Sequence, residues 1–261
     1  MACRMATVAV LAGLMSGALP GATADDLCSA TIVSDLTLDQ DLVCPGDGLV
    51  VGADGVDIAL NGHTISGAGT GVGIVLTGRN DVSIAGGTIQ NFAVAVQVNT
   101  STGIVIKNTQ FVDNREGIDF QAGSIGNSVK TCAFRGSSVR AIMFRSNARL
   151  NDIKNNSFTG NRLGILVFGG VENVLKDNVI SGSSLAGVRL NVLATGNVLK
   201  DNTLSANEAG IEFIVTPTGW AVGNELKDNR LVANVCGVKG PADGNTLKDN
   251  QLSGNAADTC L

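Results

Sequence analysis

The sequence has few aromatic residues and almost no histidine. Aromatics make up 3% of the 261 residues, tyrosine is absent, and there is one tryptophan and one histidine. A core built on large aromatic rings is therefore excluded, and Val, Ile and Leu must fill the interior, which suits short stacked strands. The lone histidine, His63, has no cluster of Cys, Asp or Met at ligand spacing, which argues against a transition-metal site.

The chain also has fewer positive than negative side chains, 18 against 23, and few long apolar runs. Its net charge is −5, and an acidic chain with few aromatics is not typical of a nucleic-acid binder. The one extended apolar run lies within residues 1–24, after Arg4 and before Ala22-Thr23-Ala24, which is the order of a secretory signal peptide. It is too short and too broken for a membrane span. We therefore predict cleavage after Ala24, no membrane span, and a secreted or periplasmic protein.

Cysteine usage fits an oxidising compartment. Removal of residues 1–24 leaves five cysteines, and we predict disulfides between Cys28 and Cys44 and between Cys236 and Cys260. Cys132 is left over. It is interpreted as a small buried thiol, because no neighbouring base that would make it reactive is evident.

One short phrase recurs along most of the chain. "NVLKDN" occupies residues 173–178 and again 197–202, "NELKDN" begins at 224 and "NTLKDN" at 245. The third position of this phrase is apolar and recurs every 21 to 27 residues, at Leu60, Ile84, Ile106, Val129, Ile153, Leu175, Leu199, Leu226 and Leu247. A period of this length, with strand-length apolar runs and no helical periodicity, predicts an all-β solenoid. We expect a single-stranded parallel β-helix of about nine coils with three short strands per coil, a cap coil at 25–54 and repeats at 55–261 with a disulfide-closed final coil.

The chain resembles a known superfamily. The repeats of the form "NxLKDNxLSGN" and the run "VCPGDGLVVGADGVDIALNGHTISG" resemble right-handed parallel β-helix repeat proteins. These form the pectate-lyase-like superfamily, which includes the periplasmic copper-maturation protein of nitrous oxide reductase. The resemblance covers most of residues 28–260 and implies a right-handed β-helix. It does not determine the activity, because this superfamily hosts many chemistries.

Stacked coils turn repeated positions into rows. Asn recurs two residues before the apolar position and three residues after it, and we expect each series to form a ladder of hydrogen-bonded amides. His63 and Cys132 fall in the second of these slots. Their slot indicates a structural role in a turn, although a general base or ligand remains the alternative for His63.

Seven lysines share one slot directly after the apolar position: Lys107, Lys130, Lys154, Lys176, Lys200, Lys227 and Lys248. They are expected to face solvent. Two interpretations stay open, a charged stripe balanced by the aspartates that follow several of them, or a cationic track for an acidic polysaccharide. Trp220 is the aromatic candidate for a sugar platform, and the alternative is that its indole folds over the coil.

The densest candidate for catalysis is a patch of Asp113, Glu116 and Asp119 with Arg135, Arg140 and Arg145 in the next repeat. Glu116 and Arg140 are predicted to stack as an ion pair. The acid clusters of polygalacturonases and the Asp-Pro-His-Asp motif of mannuronan epimerases do not occur, so their catalytic residues are not transferable.

Two functions remain from this reasoning. The first is a noncatalytic scaffold or binding module that contacts carbohydrate, and it is preferred because no recognised catalytic set is present. The second is a polysaccharide lyase acting on a uronate polymer. No cofactor is expected, with Ca²⁺ implied only for the lyase.

Overall fold

A computed structural model describes residues 27–261, so the predicted signal peptide and its cleavage after Ala24 lie outside the described residues. The described chain forms 31 strands. No described helix is long and apolar enough to span a membrane.

The strands are short and follow one another through tight turns. The first ten are β1 (Thr31–Ile32), β2 (Leu36–Thr37), β3 (Leu42–Val43), β4 (Leu49–Val51), β5 (Asp57–Ala59), β6 (Thr64–Ser66), β7 (Val72–Thr77), β8 (Ser83–Ala85), β9 (Thr88–Gln90) and β10 (Val94–Asn99). The next eleven are β11 (Val105–Lys107), β12 (Gln110–Val112), β13 (Glu116–Phe120), β14 (Ser128–Lys130), β15 (Ala133–Arg135), β16 (Arg140–Phe144), β17 (Asp152–Lys154), β18 (Ser157–Thr159), β19 (Leu163–Val167), β20 (Val174–Lys176) and β21 (Val179–Ser181). The last ten are β22 (Ala186–Leu190), β23 (Val198–Lys200), β24 (Thr203–Ser205), β25 (Ala209–Phe213), β26 (Glu225–Lys227), β27 (Arg230–Val232), β28 (Cys236–Lys239), β29 (Thr246–Lys248), β30 (Gln251–Ser253) and β31 (Ala257–Cys260).

Three parallel sheets run the length of the molecule. Sheet A contains 11 strands, every third one from β1 to β31, while sheet B (β2 to β29) and sheet C (β3 to β30) contain 10 each. Each strand pairs in parallel with the strand three places along the chain, so three strands make one coil. The predicted all-β parallel β-helix with three strands per coil is confirmed, with ten coils in place of about nine.

The extra coil arises at the N-terminal end, where the repeated phrase is weak. In sheet B, Leu36 pairs with Ile58, and Ile58 pairs with Ile84. The equivalent of Ile84 is therefore Ile58, and the assignment of Leu60 to this position was wrong by two residues. The two extra residues lie in the turn between β5 and β6. The proposed division between a cap at 25–54 and repeats at 55–261 remains a prediction.

The core is a set of aliphatic and phenylalanine rows from all three sheets. Sheet C carries Phe111, Phe134 and Phe158 in successive coils, with ring centroids 4.6 and 4.7 Å apart and nearly parallel planes. Identical inward side chains stack because successive strands lie about 4.8 Å apart. The few aromatic residues therefore serve the interior.

The two predicted asparagine series form continuous buried ladders. Asn202 illustrates the pattern: its side-chain oxygen accepts from the backbone N–H and the amide of Asn178, both at 3.0 Å. Its own amide nitrogen donates to Asn229 at 2.9 Å and to the Leu175 carbonyl at 2.8 Å. Every amide thus joins its coil to the coils on both sides, which is why so many polar side chains can be buried.

A third ladder, which the sequence reasoning did not identify, lies at the corner between sheets C and A. Its members are Asn114, Asn161, Asn207, Asn234 and Asn255, and the side-chain oxygen of each accepts from a backbone N–H of the preceding coil. Asn207 and Asn234 also donate to the asparagine of the next coil. Ser137 and Ser183 replace asparagine in two coils, and their buried hydroxyls have no hydrogen-bond partner. The signal for this ladder was the final Asn of "NxLSGN".

Disulfides join both predicted pairs, Cys28 with Cys44 and Cys236 with Cys260. Cys132 is the free cysteine among the described residues and is buried. It occupies the ladder slot, since its backbone N–H donates to the Asn156 side chain at 2.9 Å. Burial raises the pKa of the Cys132 thiol to about 11.

Replacing Asn202 with Leu should lower the free energy of unfolding by about 1–3 kcal/mol, because the Asn178 donors lose their acceptor in a buried site. Thermal and chemical denaturation followed by circular dichroism would measure this loss. Gln110→Leu makes the same amide-to-leucine change at an exposed position in β12 and should stay within about 0.5 kcal/mol of wild type. Equal stability of the two variants would contradict the role of the ladder.

Replacing Ser183 with Asn should raise the free energy of unfolding by about 0.5–1.5 kcal/mol, because the new amide would bridge Asn161 and Asn207 and remove an unsatisfied hydroxyl. The same denaturation measurements test it. A destabilised Ser183→Asn variant would show that the corner cannot hold an amide.

The Cys132 thiol should react with iodoacetamide at pH 8 more than about a hundredfold more slowly in the folded protein than in denaturant. A pKa of about 11 leaves little thiolate at this pH, and labelling should accelerate as the pH rises toward that value. Mass spectrometry of the Cys132 peptide gives both rates. Rapid labelling of the native protein would mean that the thiol is accessible and activated.

Candidate functional site on the outer face of sheet A

Sheet A has the longest strands and the most varied outer face. In β13, Ile118 and Phe120 belong to the core, so Asp119 between them points outward. Gly117 precedes them at a point where a Cβ atom would lie 2.3 Å from the Ala141 carbonyl oxygen of the next coil. Only glycine allows this close approach. A Cβ atom on Gly117 would also lie 3.0 Å from the core ring of Phe134, so Gly117 faces the core and Glu116, the residue before it, faces outward.

The predicted charged patch assembles here in part. Arg140 donates from Nε and Nη2 to the two carboxylate oxygens of Glu116, at 3.1 and 2.8 Å. Arg145 donates from Nε to both oxygens of Asp119, at 2.9 and 3.1 Å. The side chains of Glu116 and Asp119 are only 5% and 2% exposed. Each buried carboxylate is thus neutralised by an arginine of the next coil.

Asp113 and Arg135 do not join this patch. Asp113 lies at the preceding corner with a left-handed backbone, φ 51°, and is exposed. Arg135 lies in β15 of sheet C, on a different face of the molecule. The structure therefore brings together four of the five weak catalytic candidates, Glu116, Asp119, Arg140 and Arg145, and leaves Asp113 outside.

A second charged group further along sheet A was not identified from the sequence. Arg189 donates to Glu212 at 2.7 Å, and Lys239, the one lysine outside the predicted row, lies 3.2 Å from the same carboxylate. These residues pair across β22, β25 and β28. Each of the three residues directly follows the Gly-Ile or Gly-Val pair of its repeat. This shared position in the sequence could have predicted that they lie side by side.

Between the two charged groups lies a small apolar cluster that is separate from the core. It consists of Met143, Leu163, Leu166, Ala186 and Ala209. The outer face of sheet A is thus apolar in its middle and charged on both sides.

A groove of about 320 Å³ runs along one edge of this face, lined by Asn99, Gln121, Ala122, Arg145, Ser146 and Phe168. Phe168 is 46% exposed, although it is a large aromatic residue. The side chain of Arg145 is 44% exposed, and its bonds to Asp119 use only Nε. The hydrogen bond with Asp119 raises the pKa of Arg145, so the guanidinium remains charged.

Trp220, the aromatic residue singled out from the sequence, lies elsewhere. It is half-buried in the loop after β25, and its indole N–H donates to the Asp243 carbonyl at 2.9 Å. That bond holds the ring against the next coil. Phe168 was overlooked because its place in the repeat, one residue beyond β19, holds a different residue type in each neighbouring coil.

The seven lysines form one continuous row at the ends of the sheet B strands. Four of them lie within 4 Å of an aspartate of their own coil, as in Lys154 with Asp152 at 2.7 Å and Lys176 with Asp177 at 3.5 Å. The row is therefore largely balanced in charge. Such exposed pairs contribute little to stability.

The described residues offer little that could hold a transition metal. No group of three His, Cys, Asp or Glu side chains at metal-binding distance occurs among residues 27–261. Nδ1 of His63 lies 3.3 Å from Asp41, whose pKa is lowered chiefly by a hydrogen bond from the Thr64 backbone. Cys132 is buried three coils further along the same row. The donor set of a soft-metal site is therefore not assembled in this part of the chain.

The fold is similar to that of several carbohydrate-active proteins. An alginate lyase from Paenibacillus sp. str. FPU-7 superposes with a TM-score of 0.67 and 16% identity, over 90% of this chain and 91% of that one. A mutant tailspike protein of E. coli bacteriophage HK620, in complex with a pentasaccharide, gives a TM-score of 0.70 and 11% identity over 85% of this chain. This chain spans 51% of the tailspike. At these identities the likeness shows the fold alone.

The catalytic domain of a GH87 α-1,3-glucanase in complex with nigerose gives a TM-score of 0.60 and 16% identity, over 89% of this chain and 60% of that one. A search among curated protein sequences finds no match. A family model described as periplasmic copper-binding protein (NosD) matches residues 55–259. That span is well over half of the sequence, and the chain belongs to this family of periplasmic β-helix proteins.

Proposed function

We propose that this protein is a noncatalytic binding module outside the cytoplasm, which holds an acidic oligosaccharide in the groove beside Phe168. The observation that carries the proposal is the exposed phenylalanine ring in a groove of planar polar side chains. Sugars bind proteins through an apolar platform with hydrogen-bonding groups around it. Asn99 and Gln121 line the same groove and carry amide donors and acceptors, although the Gln121 amide nitrogen also donates to Asp119 at 3.2 Å.

Arg145 explains the preference for an acidic sugar. Asp119 engages its Nε, and neither Nη group takes part in a described hydrogen bond. A guanidinium fixed in this way presents its remaining N–H groups to a carboxylate in a defined direction. The buried Asp119 thus acts as a positioning group for Arg145.

The relatives and the disulfides support the location and the class of ligand. The family description names the periplasm, and two disulfides fit a compartment outside the cytoplasm. Structures with this fold include proteins described with a pentasaccharide, with nigerose and as an alginate lyase. These likenesses make a carbohydrate the first ligand to test.

The state of the buried carboxylates favours binding over catalysis. Elimination on a uronate chain needs a base that is free to take a proton, and hydrolysis needs two working carboxylates. Here the carboxylates of Glu116 and Asp119 are buried and paired with Arg140 and Arg145. The proposed role therefore includes no chemical step and no Ca²⁺.

The copper in the family description does not fit the described residues. A copper site in a periplasmic protein uses Cys, His or Met ligands brought together. His63, Cys132 and Met143 lie in different coils, and Cys132 and Met143 are buried. No step of the proposed function is therefore assigned to copper.

Replacing Phe168 with Ala should weaken binding of a uronate oligosaccharide about tenfold or more, because the ring supplies most of the apolar contact in the groove. Titration calorimetry against alginate, pectate and glycosaminoglycan fragments gives the affinities. Val179→Ala trims another exposed apolar side chain, in sheet C, and should leave binding unchanged. If Phe168→Ala binds as tightly as wild type, the groove is not the site.

Two further measurements separate this proposal from the alternatives. The double variant Lys176→Ala with Lys200→Ala should bind within about twofold of wild type, whereas a large loss would identify the lysine row as the ligand track.

Incubation with the same polymers, with and without Ca²⁺, should give no ultraviolet-absorbing unsaturated product. Product that disappears in Arg140→Ala would make the protein a lyase.

A further inference from the structure

The groove beside Phe168 runs across the coils. Its lining residues Asn99, Gln121, Arg145 and Phe168 belong to four successive coils, those of β10, β13, β16 and β19. Successive coils stack along the rod, so the long axis of the groove is parallel to the rod axis. A ligand that fills the groove is therefore directed toward the following coils, those of β22, β25 and β28.

Asn191 is the next member of the row that contains Phe168. Its backbone N–H donates to the Val167 carbonyl at 3.0 Å, as that of Phe168 donates to the Phe144 carbonyl at 2.8 Å in the preceding coil. Leu190 before it belongs to the core, so Asn191 faces outward. Its side chain makes no hydrogen bond with the described residues, and its Oδ1 atom is buried without a partner. Because no bond holds this amide, it can rotate toward a ligand that both donates and accepts.

The charged group beside Asn191 has one more positive than negative charge. The buried carboxylate of Glu212 is engaged by two cations, Arg189 at 2.6 Å through Nη2 and Lys239 at 3.2 Å through Nζ. No other carboxylate of the described residues lies within 4 Å of either cation. Glu116 and Asp119, by contrast, each pair with one arginine. The side chain of Lys239 is 40% exposed, so its ammonium group has N–H donors left for an anion from solvent.

We propose that Lys239, Arg189 and Asn191 form a second subsite for the same acidic oligosaccharide. This subsite rests on the proposed function, binding in the groove beside Phe168. One uronate carboxylate binds Arg145, and another, further along the same sugar chain, binds Lys239. Asn191 lies between them and bonds hydroxyl groups of an intervening sugar.

The spacing of the two subsites determines the length of the ligand. Arg145 and Lys239 lie four coils apart, from the coil of β16 to that of β28, which is about 19 Å along the rod. A disaccharide is too short to cover this distance and reaches one subsite at a time. The preferred ligand is therefore a chain of several uronate units that lies along the rod.

Titration calorimetry of the purified protein with a uronate disaccharide and a uronate hexasaccharide tests the second subsite. The hexasaccharide should bind at least about tenfold more tightly, because its second carboxylate binds as part of the same molecule. Lys239→Ala should remove most of this gain while the disaccharide affinity stays within about twofold, and Lys239→Arg should restore the gain. Lys248→Ala removes a positive charge from the same coil, on sheet B, and should keep the full gain.

The Asn191→Ala variant keeps the test independent of folding, because the amide that it removes bonds to nothing in the described chain. Its melting temperature should equal or exceed that of wild type, while its affinity for the hexasaccharide should fall about threefold or more. Unchanged hexasaccharide affinity would mean that no sugar lies at Asn191.

Failure of the second subsite is distinguishable from failure of the groove. If the hexasaccharide gains nothing over the disaccharide, or if Lys239→Ala keeps the gain, the second subsite is refuted, and binding that Phe168→Ala weakens still supports the groove. If the wild-type protein binds neither fragment, the groove and the second subsite are both refuted.

Discussion

The structure depends on the stacking of one coil upon the next. Each coil is too small to bury its apolar side chains alone, and its polar side chains at the corners must also leave water. The asparagine ladders meet both requirements, because an amide both donates and accepts and passes a hydrogen bond from coil to coil. Asn173, Asn197 and Asn224, for example, are 0–1% exposed and fully bonded. The aliphatic rows then pack behind corners that are already satisfied.

Much of this architecture could be predicted from the sequence because the same residue types recur at the same positions of each repeat. The slots of Asn178, Asn202 and Lys200 follow from counting residues, and the ion pair of Glu116 with Arg140 follows from equal register. The count failed at Leu60, where a two-residue insertion in a turn displaces the pattern. The spacing of apolar residues does not show where such an insertion lies, because only the strand pairing reveals which residues are equivalent.

The candidate site was predicted less well, because its residues do not recur from one repeat to the next. Outward positions of sheet A carry no common requirement, so Phe168, Arg189 and Glu212 differ from their neighbours in other coils. Trp220 is the one tryptophan in the sequence, yet its N–H group donates to a backbone carbonyl of the next coil. Which exposed ring borders a groove depends on neighbours in adjacent coils, and those are known only from three-dimensional contacts. The candidate site therefore lies where the repeat pattern is broken.

The equivalence of the coils has a consequence for how such a molecule changes length. Asn173 and Asn197 make the same bonds to the coils before and after them, so the stretch 173–196 is a closed unit whose removal joins two surfaces that already match. Gain or loss of a whole rung alters the rod by about 5 Å and leaves the remaining rungs undisturbed. Duplication of gene segments of this size would accordingly be tolerated far better than the insertion of a few residues inside a rung.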